Sequence, residues 1–111
     1  IATLNGVNGK GYVISITRGG NAMFGIDDGS SGGISVESTT NVNDGSWHRV
    51  TGVRNRSSAR IELYLDGKLE AFRSDSEDNI STMDKPLRLW HYEGFENLIS
   101  TSGYIEELKS W

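Results

Sequence analysis

Asn43-Asp44-Gly45-Ser46-Trp47-His48-Arg49-Val50 and, shortly after it, Ile61-Glu62-Leu63-Tyr64-Leu65-Asp66-Gly67-Lys68 leave this chain few ways to fold. Asn, Asp and Gly tolerate positive φ, so Asn-Asp-Gly and Asp-Gly mark tight turns. Between them the apolar residues fall on alternate positions, as a half-buried strand requires. The stretch reads as strand, turn, strand, turn, strand. In the clearest strand, residues 59–65, Ile61, Leu63 and Leu65 form the core face, while Arg60, Glu62 and Tyr64 lie opposite.

Similar patterns recur along the chain. Strands are expected over residues 1–4, 12–17, 22–26, 34–37, 47–53, 59–65, 69–72, 87–92 and 103–111. The connections are rich in Gly, Asn, Asp and Ser. No segment carries convincing helical periodicity, and there is no fixed-period repeat. With Gly at 14 and Pro at 1, the composition suits short strands joined by small-residue turns. The fold class expected is all-β, an antiparallel β-sandwich or jelly roll. At 111 residues the chain is one domain, and its start at Ile1 reads as a piece of a larger protein.

Charge and residue usage remove several functions. The net charge is −4, so there is no electrostatic footprint for nucleic acid. No apolar run approaches the length of a membrane span. Cys is 0, which excludes disulfides, thiolate zinc sites and cysteine nucleophiles. His48 and His91 lie on separate expected strands without His-x-x-x-His spacing, so a zinc site has too few ligands. There is no Gly-x-Ser-x-Gly elbow to carry a nucleophilic serine.

Four motifs, in order, resemble the laminin-G-like branch of the concanavalin A-like lectin/glucanase superfamily. Gly11-Tyr12-Val13-Ile14-Ser15-Ile16 is similar to its G-Y-x-L-x-L strand. Asp44 through Val53 is similar to D-G-x-W-H-x-V-x-x-V, and Leu63-Tyr64-Leu65-Asp66-Gly67 to L-Y-V-D-G. Gly103-Tyr104-Ile105-Glu106-Glu107-Leu108 is similar to the closing G-x-I-D-E-L strand. The resemblance implies a sandwich in which Asp44-Gly45 turns the chain, Trp47 packs in the core or at its rim, and His48 occupies a strand position. Members usually open with further strands, an F-D-G strand and an apolar strand ending in Trp, which this sequence lacks. An incomplete sheet would expose strand edges and invite self-association.

The resemblance also frames the chemistry. Hydrolytic relatives supply their carboxylates from one strand, as E-x-D-x-E, and no such run exists here. Glu106 and Glu107 are adjacent, so on a strand they point to opposite faces. No catalytic residue is assigned, and the chain is read as not an enzyme. Calcium takes oxygen ligands, and many laminin-G-like domains bind it at one rim. In one calcium-binding branch an Asp precedes the Tyr of the G-D-Y strand; here that place is Gly11. The candidates for calcium elsewhere are Asp27, Asp28, Asp75 and Asp78.

Exposed aromatics are the remaining lead, because sugars stack on flat rings and neighbouring polar groups fix their orientation. Trp90, Tyr92 and Phe95 form the densest aromatic cluster, and Tyr64 has Arg60, Glu62 and Arg88 as polar company. The carbohydrate candidates are therefore Trp90, Tyr92, Tyr64, Arg88 and Phe95. The function expected is a non-catalytic binding module of a secreted or cell-surface protein, most simply for carbohydrate. The alternatives are a protein-interaction or adhesion module assisted by calcium, and a structural accessory domain of a polysaccharide-active enzyme.

Overall fold

Ile61 and Leu63 are fully buried and Leu65 nearly so, the alternation expected of the central strand. A computed structural model describes residues 2–5, 11–30, 32–78, 80 and 88–89. Eight strands lie in that part: β1 (Ala2–Asn5), β2 (Gly11–Ile16), β3 (Asn21–Asp27), β4 (Ile34–Asn41), β5 (Val50–Asn55), β6 (Arg60–Leu65), β7 (Lys68–Ser74) and β8 (Arg88–Leu89). Among the described residues there is no helix. One sheet has the order β4-β3-β2-β1-β8, the other β5-β6-β7, and every pairing is antiparallel. The expected all-β antiparallel sandwich is the fold observed.

The two sheets meet through residues of one parity. β3 contributes Ala22, Phe24 and Ile26, β4 contributes Ile34 and Val36, and β6 contributes Ile61 and Leu63. Tyr12, Ile14, Val42, Val50, Ala71 and Ile80 pack around them. At about 1.5–3 kcal/mol for each fully buried large aliphatic or aromatic side chain, this cluster is the main favourable term holding the sheets face to face. Gly52 of β5 lies against the ring of Phe24, where a side chain would overlap it.

Two departures from the alternating pattern have local causes. β3 and β4 run longer than the sequence suggested, and Ser38 bridges an irregularity in their register between Asn21 and Met23. Its hydroxyl accepts the Ala22 N–H at 2.9 Å and donates to the Thr40 carbonyl at 2.7 Å. The second is at Trp47. The expected strand over 47–53 begins only at Val50, and Trp47 is 67% exposed rather than packed in the core or at its rim.

The cause lies in the turn chemistry around it. Asp44 accepts the Ser46 N–H at 3.0 Å, closing an Asx turn that carries Trp47 outward. The chain rejoins the sheet at Arg49, whose carbonyl accepts the Asp66 N–H and whose N–H meets Asp66 Oδ1, each at 2.8 Å. Asp66 (φ 52°) and Gly67 (φ 82°) both sit at positive φ, as a type I′ hairpin turn requires.

Candidate functional site

The outward parity of the smaller sheet carries Arg60, Glu62 and Tyr64 on β6. The register sets Glu62 opposite Val53 and Phe72, and Tyr64 opposite Thr51 and Leu69. One sheet face therefore holds an aromatic on β6 and another on β7, placed diagonally across the strand pair. Phe72 is 59% exposed and Leu69 is exposed beside Tyr64, which is half-buried.

A polar network fixes the middle of this face. Arg60 binds Glu62 Oε2 through Nη2 at 2.6 Å and Nε at 2.9 Å. Asn55 Nδ2 adds a longer bond to Glu62 Oε1. The Glu62 side chain is almost wholly covered, yet each polar atom has a partner. The Arg60 guanidinium also sits 4.5 Å from the centre of the Phe72 ring, a cation–π contact that holds ring and cation together. Exposed ring surface and a fixed guanidinium are the elements of a shallow site for a polar, flat-faced ligand.

A second cluster forms at the end of the sandwich where the loop after β3 meets the segment after β7. Ligand atoms of Asp27, Asp28 and Glu77 all lie within 4.8 Å of one another. Their positions are set by backbone bonds. Glu77 Oε2 accepts the Asp28 N–H and Asp28 Oδ2 accepts the Asp78 N–H, each at 2.8 Å. Asp27 Oδ1 accepts the Gly29 N–H at 2.7 Å. The Ser30 hydroxyl on Asp28, followed by the Asp78 and Ser30 N–H groups, pulls the Asp28 carboxyl down to about 2. Such a cluster offers three of the six to eight oxygens that calcium takes.

The expected calcium residues divide here. Asp27 and Asp28 come together, and Glu77, from the same acidic stretch as Asp75 and Asp78, joins them. Asp75 instead holds Arg54, whose guanidinium meets both of its carboxylate oxygens and donates to the carbonyls of Glu77 and Asp78. Arg54 thus braces the segment that presents Glu77. Asp78 gives its N–H to Asp28. An Asp-x-Glu-Asp run facing an Asp-Asp-Gly turn was a visible signal for Glu77, but only the fold brings the two loops together.

The expected carbohydrate residues divide as well. Tyr64 is on the smaller sheet, whereas Arg88 is on β8, paired with Thr3 of β1 in the larger one. Trp90, Tyr92 and Phe95 lie outside the described residues. Phe72, which sequence reasoning used only as a strand residue, is the most exposed aromatic on the Tyr64 face.

A family model described as the concanavalin A-like lectin/glucanases superfamily, of laminin-G type, matches residues 1–111. The chain belongs to that superfamily, and its two antiparallel sheets agree with that membership. No curated protein and no solved structure matched it. Among the described residues, no helix is long and apolar enough to cross a membrane.

Proposed function

We propose that this chain is a non-catalytic binding module of a secreted or cell-surface protein and that it takes carbohydrate on the outward face of β5-β6-β7. The observation that carries the reading is the Phe72 ring, exposed on that face and held by the Arg60–Glu62 pair beside Tyr64. A sugar ring would stack on the Phe72 face turned away from the guanidinium, which holds the ring from its other side. Holding Arg60 in place before binding lowers the ordering cost of a shallow site. Membership of a superfamily of lectins and glucanases supports a polysaccharide-facing role. The lack of an E-x-D-x-E run favours binding over hydrolysis.

The test is a glycan and polysaccharide panel with the purified chain, with and without calcium. Phe72→Ala, Tyr64→Ala and Trp90→Ala are compared with the parent. Loss of binding in Phe72→Ala and Tyr64→Ala places the ligand on this face. Loss in Trp90→Ala alone moves the site to the Trp90-Tyr92-Phe95 segment. A folded chain that binds no glycan would reverse the reading in favour of a protein-interaction module. A calcium requirement that disappears in Asp28→Asn would bring the Asp27–Asp28–Glu77 rim into that module.

A further inference from the structure

His48 is clasped on both sides. Nε2 lies 2.8 Å from Asp44 Oδ1, in its own loop, and Nδ1 lies 2.8 Å from Asp66 Oδ2, in the turn between β6 and β7. Ionised carboxylates only accept hydrogen bonds, so both ring nitrogens must donate. Only the imidazolium does that. A neutral ring has one N–H and would set a lone pair against an anionic oxygen on its other side. The charged groups facing the ring are Asp44 and Asp66; Arg49, next in the chain, gives its backbone N–H to Asp66 and has an exposed side chain.

We propose that His48 is a protonation-dependent latch that ties the loop over residues 43–47 to the β6–β7 turn. It is closed when the ring carries two protons and half-released when it carries one. The half that stays is Asp66. Its position relative to the ring is fixed by two backbone-level bonds to Arg49, one through its own N–H and one through Oδ1. Among the described residues Asp44 has no such tie across the fold; its bonds besides His48 stay inside the same loop, to Ser46. The neutral ring therefore keeps Nδ1–H on Asp66 and lets Asp44 go. Trp47 sits between the two latch residues of that loop and is largely exposed. The latch thus sets how firmly the loop that carries this outward indole is anchored to the β6–β7 turn.

The chemistry of the ring agrees with the geometry. The bond to Asp66, then that to Asp44, raises the His48 pKa above its ordinary 6.5 against the opposing effect of burial. The latch then opens as pH rises through a value above 6.5.

The experiment is NMR of the chain across pH 5–9, reading the His48 ring nitrogens and the Trp47 indole N–H, the latter assigned with Trp47→Phe. Expected are a His48 midpoint above 6.5, a downward shift of it in both Asp44→Asn and Asp66→Asn, and an Nδ1–H ring at high pH. The Trp47 indole signal should change with the same midpoint. A midpoint at or below 6.5, or a Trp47 signal indifferent to His48 titration, would overturn the latch. An Nε2–H neutral ring would overturn the release of Asp44. Dispersed backbone spectra of the Asn variants show that each has folded, so a lost shift is read at the latch itself.

Discussion

The Phe24 ring fills the place where residue 52 would carry a side chain, so the two sheets approach at that point only because position 52 is glycine. Phe24 is 5% exposed and sits in the core cluster with Ile61 and Leu63. Gly52→Ala is expected to destabilise the fold by about 1–3 kcal/mol through overpacking. Phe24→Leu in the same chain should restore part of that loss, although alone it costs stability. Urea unfolding of the two single variants and the double variant measures the coupling. Equal midpoints for the double variant and the sum of the singles would disprove the contact.

Ser38 is buried and holds both the Ala22 N–H and the Thr40 carbonyl. Ser38→Ala leaves both groups without that partner, at a cost of about 1–3 kcal/mol for a buried unsatisfied group. Amide exchange at Ala22 should speed up in the variant while exchange at Leu63 changes only through global stability.

Arg54 and Asp75 form a well-covered pair, with side chains 15% and 3% exposed. Burial pushes the Asp75 carboxyl up, but the Arg54 bond and the Glu77 N–H outweigh it and hold the group below its ordinary 3.8. A lowered folded value means stability that is present above 3.8 and lost as pH falls through the folded value. Arg54→Met removes the main opposing charge and leaves the burial, so it is expected to cost about 3–5 kcal/mol. It should also flatten the rise in stability between acid and neutral pH. Thermal melts at several pH values read both effects.

Asp28, drawn down to about 2, stays ionised through the range where most carboxylates protonate. Its contribution to stability is therefore present above its ordinary 3.8 and disappears only as pH falls toward 2. Asp28→Asn should lower stability most above 3.8, where the contribution is fully present, and least as pH approaches 2, where the parent has lost it too. Circular dichroism during acid titration checks it.

Much of the fold is legible in the sequence. The Ile61, Leu63, Leu65 alternation needs only the two-residue period of a strand, and Asp66-Gly67 needs only the positive φ of its turn. What escapes is set by partners far along the chain. Trp47 reads as a strand residue because period two extends smoothly through it; the Asx turn of Asp44 and the two carboxylates on His48 override that pattern. Asp75 looks like one more acidic loop ligand until Arg54, on another strand, claims it. Glu77 gains its place only from the meeting of two loops. Tyr64 and Arg88 share a polar-aromatic character in the sequence but belong to different sheets, a separation that strand order alone decides.

The β1–β8 pairing sets residue 2 against residue 89. The β2-β3-β4 and β5-β6-β7 meanders each close over short turns and can form as soon as their own segments leave the ribosome. The flank of β1 cannot. It must wait, with the backbone groups of that flank unpaired, until residues 88–89 have been made, and among the described strand pairings it closes the longest loop, at the greatest entropic cost. β1 is thus the strand for which a chaperone, or a neighbouring nascent chain, would have the longest opportunity to compete.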